Sequence, residues 1–114
     1  MIYTIPVIPP SNNRYLGREN QWDYRKEKKI WQDLVAMCCH PRPEKPVEHA
    51  QVILTYFFPD KRRRDPDNYS GKMVLDGLVR AGILVDDSFS HIDLLLRGAH
   101  DRKNPRLEIQ LKEM

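Results

Sequence analysis

The run Ala50-Gln-Val-Ile-Leu-Thr-Tyr-Phe-Phe58 narrows the folds open to this chain more than any other segment. Its nine residues are mostly β-branched, aromatic or leucine, and it closes on Pro59-Asp60, so it reads as the strongest strand in the sequence. Upstream, Trp31, Leu34, Val35 and Cys38 recur at i, i+3, i+4 and i+7. That spacing predicts a helix from about Gln21 to Cys39, ended by Pro41 and Pro43. Downstream, Leu75, Leu78 and Val79 predict a second helix over residues 69–81, with Gly82 as its stop. Residues 2–8 are β-rich, and Pro6 marks them as an edge strand. Pro9-Pro10-Ser11-Asn12-Asn13 reads as an ordered loop. His91–Ala99 and Arg106–Lys112 read as two strands joined by a hairpin loop over 100–105. The order β-α-β-α-β-β predicts an α+β two-layer sandwich, a mixed sheet with two helices.

The chain has 114 residues, enough for one core and hence one domain, 1–114. At 40% apolar and 31% charged residues it is neither disordered nor membranous in composition. No run approaches the ~20 apolar residues of a spanning helix. Residues 1–10 lack the basic and apolar regions of a signal peptide, and adjacent Cys38 and Cys39 make no disulfide framework. The expectation is a reducing, cytoplasmic setting, with no membrane partner. The net charge of +3 is unevenly laid out. Residues 1–64 carry 12 Lys/Arg against 7 Asp/Glu, residues 65–93 carry 2 against 6, and residues 94–114 carry 5 against 3. An acidic middle bracketed by basic flanks suits a polyanion-binding surface around a carboxylate site; surface scatter gives the same distribution.

Arg62-Arg63-Arg64-Asp65-Pro66-Asp67-Asn68 holds most of the chemistry. Pro66 pushes Asp65 towards extended backbone, and on an extended backbone Asp65 and Asp67 point to the same side. Two carboxylates that close require a proton, an arginine or a divalent cation between them. Mg²⁺ takes one or two carboxylates and completes its shell with water and phosphate oxygens. The structural alternative has Asp67 or Asn68 capping the second helix and Asp65 pairing with an arginine. Lys72 falls in the first turn of that helix, where the macrodipole opposes a cation and Asp76 four residues on is the weaker orientation for a pair. Contact with a phosphate gives the lysine a purpose there; a solvated outer face is the other reading.

Asp86-Asp87 forms a further acidic pair, one helix later. A helix of about 13 residues spans roughly 20 Å, so these reach Asp65 only if the chain doubles back or a second subunit brings them. Ile83-Leu84-Val85 is suited to begin the return, and an exposed acidic turn is the plain reading. Cys38-Cys39-His40 with His49 lacks the paired spacing of a zinc site, and Cys38 is expected in the core. Nothing nearby fixes a role for His91 or His100. Tyr15, Trp22 and Tyr24 interleave with Arg14, Arg18 and Arg25, a pattern that suits stacking on exposed bases or an amphipathic helix entry.

Taken in order, these motifs resemble the RusA family of Holliday junction resolvases, small Mg²⁺-dependent endonucleases of bacteria and their phages. The likeness is carried by Pro9-Pro10-Ser11-Asn12-Asn13-Arg14-Tyr15 and by Arg62 to Asn68. It continues through Lys72, Leu75-Asp76-Gly77-Leu78 and Gly82 to Asp86-Asp87, nearly the whole length. The resemblance implies Asp65, Asp67 and Asp87 as metal-binding catalytic carboxylates and Lys72 as the catalytic lysine. It implies Mg²⁺, with Mn²⁺ as a substitute, and a homodimer that binds four-way DNA junctions and nicks two strands symmetrically in recombination and repair. Arg62, Arg63, Arg64, Asn68, Arg14, Arg25, Lys28 and Lys29 would then contact the DNA backbone. The family pattern sets its lysine four residues after the second aspartate, whereas Lys72 is five after Asp67. One residue turns a helix by about 100°, and Gly71 is placed to absorb the excess outside it. Two other functions remain open: a non-catalytic branched-DNA-binding module of the same fold, and a phage accessory protein acting by protein contact.

Overall fold

The computed structural model describes residues 1–12 and 21–114. Its elements are β1 (Ile2–Ile5), α1 (Gln21–Cys38), β2 (Ala50–Phe58), a 3-10 turn (Pro66–Asn68), α2 (Lys72–Arg80), β3 (Ile92–His100) and β4 (Arg106–Glu113). The expected α+β class, element order and mixed sheet are found. Four strands lie in the order β1-β4-β2-β3, with β2 parallel to β3 and antiparallel to β4, and β1 antiparallel to β4.

Strand alternation decides which face is buried. Ala50, Val52, Leu54 and Tyr56 of β2, and Leu107, Ile109 and Leu111 of β4, join Tyr3 and Ile5 in one core. Trp31 and Val35 of α1, and Met73, Val74, Leu75 and Leu78 of α2, fill it from the helix layer. The opposite face carries Gln51, Thr55, Glu108 and Gln110. Gly77 lets the helices approach: a Cβ there would stand 2.9 Å from Val35 Cγ2. Among the described residues, no helix is long and apolar enough to cross a membrane.

Three expectations need correction. First, β3 and β4 form no hairpin, because β2 lies between them. The segment 101–105 passes the end of β2 instead, where Asp101 N–H donates to Phe58 O at 2.9 Å and the Arg106 guanidinium lies 3.8 Å from the centre of the Phe57 ring. The alternating apolar side chains of β4 gain more burial between two strands than at an edge. Second, α2 begins at Lys72 rather than at residue 69, because Gly71 takes a left-handed φ of 78° at its N-cap. Third, Cys39, not Cys38, sits fully in the core, and Cys38 packs half-buried against it. Smaller differences concern the first strand, which stops at Ile5 before Pro6, and β3, which runs one residue past Ala99. Pro6 nonetheless signalled an edge, and β1 is one.

Candidate nucleic-acid and metal site

The end of β2 delivers the chain to the acidic motif. Asp60 turns it by accepting Arg62 N–H at 3.0 Å and Arg64 Nη1–H at 2.8 Å. Arg64 and the Arg62 backbone N–H hold the Asp60 carboxyl far below the usual carboxylate range. Arg64, with its side chain 16% exposed, also lies 4.4 Å from the centre of the Phe58 ring. Its guanidinium therefore braces the loop, while Arg62 and Arg63 extend into solvent. Their exposed ion pairs, to Asp60 and Asp65, contribute little to stability and leave both arginines accessible to a phosphate.

Asp65 keeps the extended backbone that Pro66 demands, with φ −103° and ψ 138°. Its carboxylate lies 3.3 Å from Arg63 Nε. The same-side expectation for Asp65 and Asp67 assumed extended backbone at both; the chain instead enters a 3-10 turn at Pro66, and Asp67 lies within it. Asp67 is exposed, and Asn68 is half-buried. Neither caps α2, whose N-cap is Gly71. Asn12 fastens the turn from the N-terminal loop, donating to Asp67 O at 3.3 Å and Ser70 Oγ at 3.0 Å. That gives the Pro-Pro-Ser-Asn segment its role as an ordered loop beside the acidic motif. Lys72 follows as the first residue of α2, exposed to solvent, so the excess residue is absorbed outside the helix.

The doubling back after α2 is present. Gly82, at φ 76°, ends the helix, and Ile83 and Leu84 turn inward to full burial. Val47 N–H donates to Ile83 O, and Val85 N–H to Val47 O. Asp86 and Asp87 come next, both half-buried, with Asp87 near enough to Asp76 of α2 for their charges to interact. Burial pushes the Asp87 carboxyl up, and the like charges of Asp76 and Asp86 add to it. Asp86 shifts the other way, chiefly because its carboxylate accepts the Asp87 backbone N–H at 2.9 Å. His91 Nδ1 lies 3.8 Å from Asp86 and stacks its ring on His49. Asp76 is thus a further carboxylate of the acidic group, 3.6 Å from Lys28 Nζ.

The structure accordingly brings Asp87 together with Asp76 and Asp86, and sets Asp65 and Asp67 on the turn that precedes α2. Among the described residues, no three His, Cys, Asp or Glu side chains converge as a ready ligand cage. Arg25 and Lys29 are exposed on α1, Lys28 is engaged by Asp76, and Arg14 lies outside the described residues, as do Tyr15 and Arg18.

A pocket beside Asp65 escaped the sequence reading. Tyr56, Phe58, Tyr69, Leu96, Arg97 and Gly98 line it with the acidic motif. Tyr69 meets Phe58 edge-on at 5.1 Å and Tyr56 at 5.5 Å, within the range of favourable aromatic pairs. Period-two aromatics at Tyr56 and Phe58 were the available signal; nothing in the sequence placed β3 next to them. A scan against protein-family models and a search of curated proteins gave no match to this chain.

Proposed function

We propose that this protein is a Mg²⁺-dependent endonuclease of branched DNA, of the kind its motif order resembles, acting as a homodimer on four-way junctions. The observation that supports the reading best is the placement of Asp65-Pro66-Asp67. It stands at the C-terminal end of the parallel β2–β3 pair, with exposed Arg62 and Arg63 before it and exposed Lys72 opening the next helix.

The donor chemistry suits a hard cation. The Asp65–Asp67 turn and the Asp87 segment offer carboxylate oxygens. Mg²⁺ needs only one or two protein carboxylates, the rest of its shell being water and phosphate. Asp65, Asp67 and Asp87 are the residues that would hold it, and when bound it would supply a polarised phosphate and an activated water. Lys72 would add positive charge at the scissile phosphate, and Arg62 and Arg63 would hold the flanking backbone. Arg25 and Lys29 extend the cationic surface along α1.

Cleavage of a synthetic four-way junction in Mg²⁺ tests the proposal. Nicking that depends on Asp65 and Asp67 supports it. Junction binding that persists in EDTA, with no nicking under any divalent cation, would select the non-catalytic module instead.

A further inference from the structure

β3 closes one side of the sheet, and among the described residues only β2 pairs with it. Exposed strand edges invite pairing, and proteins blunt them with short length, proline, bulges or charged side chains, lysine above all. The opposite edge, β1, has four residues and runs into Pro6. β3 has nine, without proline or lysine, and Leu94 and Leu95 are 39% and 37% exposed. We propose that this edge receives the β3 of a second copy of the chain, antiparallel, about a twofold axis at Leu95. The inference rests on the homodimeric reading above and gives that dimer its interface.

The backbone limits the register. Ala50 N–H donates to His91 O at 3.0 Å, and Ala50 is paired with Ile92. In a parallel ladder this commits the odd-numbered residues of β3 to β2 and turns the N–H and C=O of Leu94, Leu96 and Gly98 to the free edge. An antiparallel partner must bond through those even-numbered residues. With the twofold at Leu95, Leu94 of each copy opposes Leu96 of the other. Asp93 then opposes Arg97, and Leu95 opposes itself, at the non-hydrogen-bonded sites where side chains lie closest. Moving the axis to Leu94 or Leu96 sets Asp93 against Leu95 or Ala99 and loses both charge pairs.

Asp93 and Arg97 are suited to this use. Neither belongs to an ion pair among the described residues. They share one face of the strand, but four residues separate their Cα atoms by about 13 Å, too far to pair within one chain. Leu95 sits between them beside Ile53, which is buried on the face opposite the helices. Pairing thus joins Ile53 and Leu95 of both copies into one apolar row across the strands, flanked on either side by an ion pair. An isologous interface requires such self-complementarity. Leu96, Arg97 and Gly98 also line the pocket beside Asp65, so the second copy's strand would flank both candidate sites.

Sedimentation tests the pairing. The unaltered chain is expected at twice its 13.5 kDa mass. Asp93→Arg and Arg97→Asp each oppose like charges and are expected as monomers at the same loading. Mixed in equal amounts, they recombine into dimers, because one offers two cations and the other two anions. Singles that remain dimeric, or a mixture that stays monomeric, overturn the proposal. Leu95→Cys gives a second readout, since opposed Cα atoms about 4.5 Å apart are within disulfide reach. Oxidation should yield covalent dimer from Leu95→Cys and not from Leu94→Cys; equal yields overturn the register. Junction cleavage is scored on the same samples. A monomer that cleaves overturns the pairing and the homodimeric reading but leaves the nuclease chemistry standing, and a paired dimer that does not cleave overturns the nuclease reading alone.

Discussion

Gly71 and Lys72 show how one residue can set the position of another. Gly71 holds a left-handed φ, and a Cβ there would collide with Leu54 Cδ1. Gly71→Ala therefore meets both backbone strain and a buried leucine, and is expected to cost more than ~1 kcal/mol in chemical denaturation. Gly82 has a similar φ of 76° but open space around its missing Cβ, so Gly82→Ala should cost less. Equal losses would show that the collision with Leu54 has no effect. Lys72, by contrast, is exposed on the first turn of α2. Lys72→Ala should leave the unfolding midpoint unchanged while slowing junction cleavage by about 10² or more, the scale on which transition-state charge stabilisation is lost. Gly71's part in keeping the excess residue outside α2 could be read from the sequence, because a left-handed turn is a local backbone demand. The Asp65 pocket could not, because Leu96, Arg97 and Gly98 reach it only through strand pairing.

At the level of elements, β2 is legible to its last residue, because a nine-residue run rich in β-branched and aromatic side chains and bounded by Pro59 favours a strand. β4 was placed correctly in sequence but not in space. Charged, Asn-Pro-containing connections serve a hairpin and a crossing equally well, and only burial of Leu107, Ile109 and Leu111 decides between them. The crossing is held by Asp101, whose carboxylate accepts Arg106 Nη1–H at 2.7 Å and the backbone N–H groups of Lys103 and Asn104 at 3.1 Å. Arg106 first, then those N–H groups, lower the Asp101 pKa below its ordinary 3.8. The native state therefore binds fewer protons than the unfolded state in the acid range. The stabilisation is present above the ordinary carboxylate pKa and is lost as pH falls through the lowered one. Asp101→Asn should consequently lower the urea midpoint at neutral pH, and its difference from the parent should shrink in strong acid. A pH-independent difference would assign the effect to geometry alone. Helix packing gives a further test at this scale. Gly77→Ala gains helix propensity but drives a methyl to 2.9 Å from Val35 Cγ2, so the net change should be a loss of stability. A Gly77→Ala/Val35→Ala double variant, which removes the obstructing methyls, should show coupling between the two sites rather than additive losses.

For the whole molecule, the charge layout acquires a spatial meaning. The basic N-terminal half contributes the exposed cations of α1 and of the Arg62–Arg63 loop, while the acidic middle becomes the 3-10 turn and the Asp76–Asp86–Asp87 group around α2. A carboxylate site bordered by cations suits a polyanion, and binding of branched DNA should weaken steeply with added salt. Two copies joined through β3 would present two such sites about one axis, which suits a junction with paired strands to cut. The most direct test is the rate at which purified protein nicks a synthetic four-way junction in Mg²⁺, compared with an Asp65→Asn/Asp67→Asn variant of equal stability. The account predicts paired nicks that EDTA abolishes and that the variant makes at least about 10²-fold more slowly. Equal rates for parent and variant, or no cleavage by the parent under any divalent cation, would contradict it.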